Sequence, residues 1–220
     1  MKITTSKKAS SHIKALVYGR PGVGKTTLCA TMPNPIIISA ESGTLSIRDK
    51  NIPIIEIYNL EDLYEALDYL KRKKQRKKFG SICLDSISDI AETVLAEAKS
   101  QVKDARQAYG ATNDEIFKLI RKFRDLKGYH SLMTCKVMVN DDGEHFPAMP
   151  GKKMTTDIGY FFDEVFALRV WDGEQEEDGE ERIRYLQTDI SMTWDAKDRS
   201  GKLKFREKPD MNKIIKKILK

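Results

Sequence analysis

The chain has 220 residues, which suits one domain of ordinary size and leaves no room for a multi-domain machine. Its 40% hydrophobic and 33% charged residues describe a soluble globular core and exclude a disordered chain. A charge of +6 (39 Lys+Arg against 33 Asp+Glu) is compatible with nucleic acid without requiring it. No apolar run approaches the roughly 20 residues of a spanning helix, and the basic start has no apolar segment behind it, so the expected location is the cytoplasm, with no membrane contact. Cys29, Cys83 and Cys135 are odd in number and form no C-x-x-C pair, so they read as small buried apolar residues.

Lys14 to Gly19 is a short apolar run closed by glycine, and after a Gly/Pro-rich turn KTTLCATM opens a helix. Pro33 and Pro35 stop that helix, and Pro35 to Ser39 reads as a buried central strand. Ile54 to Ile57 is another strand. Asn59 stands at an N-cap, and Leu60, Leu63, Tyr64, Leu67 and Leu70 mark an amphipathic helix running out into Lys71 to Lys78, seven basic residues in eight. That basic run reads as a solvated helix end, and the final KIIKKILK as a basic tail.

Gly80 to Asp85 is a strand ending on an acid. Ile87, Ile90, Ala91, Val94, Leu95, Ala98 and Val102 follow on one face of a long helix that ends at Tyr109-Gly110. Thr112 and Glu115 have capping-box spacing for a second helix, closed by Gly128. His130 to Val139 is the next strand, Asn140 to Lys153 a polar segment, and Asp163 to Trp171 a further strand. The turn GEQEEDGE joins it to Arg182 to Thr188 as an antiparallel hairpin, and a helix over Pro209 to Leu219 closes the chain. The expected fold is α/β, a mostly parallel sheet with helices on both faces and a late antiparallel hairpin. It is one domain over residues 1–220, with a flexible start over 1–12 and a short basic helix over 209–220.

Gly19-Arg20-Pro21-Gly22-Val23-Gly24-Lys25-Thr26, followed by Thr27, matches G-x-x-x-x-G-K-S/T between a predicted strand and a predicted helix. The glycines let backbone N–H groups fold round an anion, and the helix start adds its positive end. Lys25 is expected to reach the β/γ-phosphates and Thr26 to ligate Mg²⁺. Asp85, at the end of a downstream strand, is placed to hold the same metal. Glu41 ends the strand that follows the loop helix, which is expected to lie close to the loop strand, so its carboxylate is the candidate for activating water.

Taken together, the phosphate loop, the strand ending Ile37-Ile38-Ser39-Ala40-Glu41-Ser42-Gly43 and the segment Ile82-Cys83-Leu84-Asp85-Ser86 resemble the core of RecA-type ATPases. In particular, the chain resembles short phage-encoded RecA-like ATPases, including those used as single-strand annealing recombinases, over roughly residues 12 to 210. The resemblance implies a RecA-like P-loop NTPase fold, ATP and Mg²⁺ as cofactors, and a host-cell cytoplasmic setting. It also implies assembly into a ring or filament and single-stranded DNA as partner, together with a single-strand binding or annealing protein. Lys197 and Arg199, in Ala196-Lys197-Asp198-Arg199-Ser200-Gly201, look like the K-x-R-x-G element that reaches a neighbouring subunit's γ-phosphate. The strand from His130 would carry a γ-phosphate sensor, either Thr134 or Lys136. The segment after it occupies the place of a DNA-binding loop, with His145, Phe146, Lys152 and Lys153 as contacts. Two other readings are a helicase loader or adaptor controlled by ATP, with little direct DNA binding, and a small-molecule or nucleotide kinase.

Overall fold

The computed structural model describes residues 3, 5–6, 11–41, 43–101, 105–171 and 183–220. The stretch GEQEEDGE, Arg182, Val102, Ser42 and most of the expected flexible start therefore lie outside the described residues. One ten-stranded sheet organises the chain, in the order β10-β8-β7-β1-β5-β4-β2-β3, with β6 paired to β5 and β9 to β7. Its parallel centre consists of β1 (Lys14–Tyr18), β2 (Pro35–Ser39), β3 (Ile54–Glu56), β4 (Ser81–Asp85), the first half of β5 (His130–Val139) and β7 (Glu164–Val170). These strands read as apolar runs rather than alternating patterns because helices cover both sheet faces. The antiparallel parts are β6 (His145–Ala148) on β5, with β8 (Arg184–Gln187) and β9 (Lys197–Asp198) on β7 and β10 (Arg206–Glu207) on β8.

Helix α1 (Lys25–Cys29) and helix α7 (Met211–Leu219) cover one face, burying Leu28, Met211, Ile214 and Ile215 against Val17, Ile37 and Phe166. The other face carries α2 (Leu60–Lys71), α4 (Ile87–Gln101) and α5 (Ala105–Arg124), whose Leu63, Leu67, Val94, Ile120 and Phe123 pack on Leu16, Ile38 and Leu84. Two short helices, α3 (Lys73–Lys78) and α6 (Lys152–Asp157), complete the set used below. Asn59 caps α2 as its spacing predicts, accepting from the Asp62 N–H at 3.0 Å. Asp210 does the same for α7.

Four expectations are corrected. The basic run is not the end of α2: the chain becomes extended at Arg72 and restarts as α3. Gln75 alone turns inward there, and its seven basic neighbours are exposed. No helix boundary falls at Tyr109-Gly110: α4 spans Ile87–Gln101, and α5, a separate helix, runs through both residues, the cost of one helical glycine being offset by burial of Ile116, Leu119, Ile120 and Phe123. Thr112 is consequently interior to α5 and caps nothing, while Glu115 accepts from the Tyr64 hydroxyl and pairs with Lys118. Finally, β2 does not lie beside β1, because β4 and β5 stand between them.

Among the described residues the buried Thr112 hydroxyl has no hydrogen-bond partner, which penalises the folded state. Thr112→Val keeps the shape and removes that penalty. Thermal unfolding of the variant is expected to show a gain of about 1 kcal/mol, whereas a loss would mean that the hydroxyl is satisfied.

Candidate functional site

β1 delivers the chain to the loop at Gly19, where a Cβ would sit 2.6 Å from the Leu168 carbonyl oxygen; only glycine lets the two backbones approach so closely. Gly24 then turns with φ of +104° to start α1. Arg20, Pro21, Gly22 and Thr27 are exposed along this loop and helix start, and Val23 is buried beneath it. The Lys25 ammonium folds back over the loop, donating to the carbonyls of Gly19 (3.0 Å) and Arg20 (3.2 Å). Burial lowers its pKa, and the carboxylates of Asp85 and Glu41 oppose that shift. It is a desolvated cation held over a turn of backbone N–H groups, which is the arrangement that binds phosphate oxygens.

Asp85 is the buried end of β4, 5% exposed, and both of its oxygens accept hydrogen bonds. Thr26 Oγ1 donates to Oδ2 at 2.6 Å, and Thr134 Oγ1, from β5, donates to Oδ1. A hydroxyl and a carboxylate are hard oxygen donors that suit Mg²⁺, which takes few protein ligands and keeps the rest for water and phosphate. No larger cluster of His, Cys, Asp or Glu capable of holding a metal occurs among the described residues.

Although β2 is two strands away from β1, Glu41 still reaches this site, because it lies on the bend beyond the carboxyl end of β2. Ser39 fixes the bend: its Oγ donates to the Glu41 carbonyl at 2.7 Å and accepts the Glu41 N–H at 3.2 Å. A hydrogen bond to Asp89, burial, and the charges of Asp89 and Asp85 push the Glu41 carboxyl up to about 7, against the pull of Lys25. Asp89, in the first turn of α4, was not singled out from sequence. Burial raises its pKa, but hydrogen bonds from Glu41, Lys136 and Ser86 outweigh that and hold it below the usual carboxylate range. The signal was present as Ser86-x-x-Asp89, which by itself means only a helix cap. Of the two sensor candidates, Thr134 touches Asp85, and Lys136 bridges Asp89 (2.6 Å) and Glu92 (3.1 Å). Arg184, also missed, opens β8 with its Cδ and Nε 3.8 Å from where a Gly24 Cβ would stand.

Lys197 and Arg199 do not join this site. Lys197 pairs with Val165 near the amino end of β7, and β7 runs parallel to β1 with Glu164 opposite Ala15 and Ala167 opposite Tyr18. Both cations therefore sit at the sheet end opposite the phosphate loop. There the Lys197 ammonium donates to the Gly159 carbonyl at 2.8 Å, and Arg199 pairs with Asp163 at 2.9 Å.

His145 and Phe146 lie on β6 within a hairpin, where sequence reasoning expected a polar segment. His145 stacks on Trp194 with ring centroids 4.0 Å apart, so one ring face is already used. Phe146, Met138, Met149 and Met192 line an open groove of about 820 Å³, whose polar lining includes Glu144, Asp195 and Lys152. Lys152 and Lys153 are exposed in the first turn of α6.

Residues 11–200 match a family model described as AAA domain (AAA_24). The chain has no significant match among curated proteins. Among solved structures it is similar to a KaiC-like protein, PH0186, from the hyperthermophilic archaeon Pyrococcus horikoshii OT3. The identity is 15%, with 79% of this chain and 77% of that one covered and a TM-score of 0.43.

Lys25→Met removes the charge and keeps most of the apolar stem. ATP binding, followed with a fluorescent nucleotide, is expected to weaken about 10- to 100-fold, the worth of a charge-assisted phosphate contact. The melting temperature is expected to stay level or rise, since the variant no longer buries a cation. Unchanged affinity would remove Lys25 from the binding site.

Proposed function

The chain belongs to the AAA domain family, and on that premise we propose that it is a Mg²⁺-dependent ATPase that assembles side by side and works on single-stranded DNA. The pathways that fit are recombination, repair or replication of the kind served by short phage-encoded RecA-like ATPases. One observation carries the reading: Lys25, Thr26, Asp85 and Glu41 converge at the carboxyl edge of the sheet, where the neighbouring carboxylates and burial push the Glu41 carboxyl up to about 7. In hydrolysis a water oxygen bonds to the γ-phosphorus as the bond to the ADP oxygen breaks. Glu41 in its ionised form takes the water proton, and a base that titrates near working pH suits that task. Lys25 offsets negative charge on the phosphates. Thr26 and Asp85 would hold Mg²⁺, which supplies further charge neutralisation when bound.

Lys197 and Arg199 lie too far round the sheet to serve their own loop, and this placement supports a role at a neighbour's γ-phosphate. The β5–β6 hairpin with Lys152 and Lys153 is the proposed DNA contact. A second reading, an ATP-controlled loader or adaptor, is favoured by one observation. Glu144 and Asp195 line the groove, and Asp141 and Asp142 sit on the same hairpin, which suits a protein partner better than a phosphate backbone.

Two measurements test the proposal. Phosphate release is expected to require Mg²⁺ and to rise several-fold with a single-stranded oligonucleotide at low salt but less at high salt. Assembly with ATP but no effect of the oligonucleotide would favour the adaptor, and turnover only with an added acceptor would indicate a kinase. Mixing Glu41→Gln subunits with Arg199→Ala subunits is expected to restore part of the turnover that each has lost. Inactivity at every ratio would refute action across the interface.

A further inference from the structure

Arg184 reaches the phosphate loop from β8, two strands away from the strand that carries the loop. β8 runs antiparallel to β7, and β7 runs parallel to β1, with Ala167 opposite Tyr18 and Val170 opposite Arg184. The register therefore carries Arg184 past the level at which β1 ends, to the sheet edge from which the loop departs. Its backbone is fixed there, since Tyr185 pairs with Arg169 on one side and the Trp171 N–H donates to the Ile183 carbonyl at 2.7 Å on the other. Side chains alternate along a strand, so Arg184 shares its face with Leu186, which is buried in one cluster with Val17, Val23 and Leu28.

Gly24 shows how close the approach is. Apart from its chain neighbours, the described atoms within 4 Å of where a Cβ would stand at Gly24 are Cδ and Nε of Arg184, both at 3.8 Å. The arginine is exposed, and among the described residues its guanidinium has no carboxylate partner and lies over no ring. Other arginines of the same region and beyond are engaged: Arg124 by Asp125, Arg199 by Asp163, Arg169 by Gln187, and Arg206 over the Trp171 ring. A guanidinium carries five N–H donors in a fork that matches phosphate oxygens.

Strand order decides which part of a nucleotide this group meets. On one side of β1 the sheet continues through β5 to β4 and β2, which bring Asp85 and Glu41, so that side takes the γ-phosphate. β8 lies on the other side, beyond β7, two strand spacings or about 10 Å from β1. A nucleotide whose terminal phosphate faces Asp85 and Glu41 extends its inner phosphates past Gly24 towards β8. We propose that Arg184 is a binding residue, acting within its own subunit, for the α,β-diphosphate that ATP and ADP share. It holds product as firmly as substrate and takes no part in the chemistry at the γ-phosphate.

This inference rests on the loop being a nucleotide site, so calorimetry first follows Mg-ATP and Mg-ADP on wild type and on Lys25→Met. If wild type binds neither, or Lys25→Met binds both equally well, the nucleotide site is not this loop and the inference goes with it. Where that reading holds, Arg184→Gln keeps much of the stem against Gly24 and loses the charge. It is expected to weaken ATP and ADP by the same factor, about tenfold, and Arg184→Lys to regain part of the loss. KM for ATP is expected to rise by a similar factor, with kcat within about threefold of wild type. Unchanged affinity for both nucleotides, a loss confined to ATP, a lysine variant no better than glutamine, or a fall in kcat at constant KM would each overturn the assignment.

Discussion

The Asp85 carboxylate is the constraint on which the rest of this molecule depends. A charge buried at the end of a central strand costs several kcal/mol unless it is met by donors or a cation. Here the donors are two hydroxyls from different elements, Thr26 on the helix behind the phosphate loop and Thr134 on β5. Those partners require β5 to lie between β1 and β4, which is the strand order observed. The same three elements bring the candidate phosphate lysine, the candidate metal donors and a γ-phosphate sensor candidate to one edge. The inward packing of Leu16, Ile38 and Leu84 supplies bulk stability, and the Asp85 contacts fix which strand ends meet.

How far this was legible from sequence depends on whether the signal was local. The phosphate loop announces itself because its glycines are needed for backbone reasons: the approach of Gly19 to Leu168 and the positive φ of Gly24. Pro35–Ser39 and His130–Val139 are strands where their apolar runs place them, and Asn59 caps where a polar residue before a periodic stretch should. What failed was set by distant partners. Thr112 and Glu115 have the right spacing for a cap, but α5 buries enough apolar surface to run through Gly110 and leave them inside. The basic run looked like one helix end, yet the chain breaks at Arg72 to turn Gln75 inward. Asp89 could be read only as a cap, because Lys136, its ion-pair partner on β5, is far away in the chain. Strand order, likewise, is not a property of any window of sequence.

The two ends of the sheet differ in chemistry. The carboxyl end gathers Asp85, Glu41 and Asp89 around one buried ammonium, an arrangement that needs further positive charge to be complete. At the amino end lie Lys197 and Arg199, and α3 leads into the amino end of β4 with its exposed cations. Among the described residues, Lys71 is the one member of the basic run with an ion-pair partner, Asp68.

The central claim is that Asp85 is a metal-holding acid kept in place by Thr26 and Thr134, and calorimetry of ATP binding to wild type and Asp85→Asn, with and without Mg²⁺, tests it most directly. Asparagine keeps the shape; its Oδ1 can accept from one threonine hydroxyl while its NH2 donates to the oxygen of the other. The account predicts that the variant binds metal-free ATP about as well as wild type but loses most of the gain in affinity that Mg²⁺ confers, on the order of tenfold or more. An equal gain from Mg²⁺ in both proteins would contradict it.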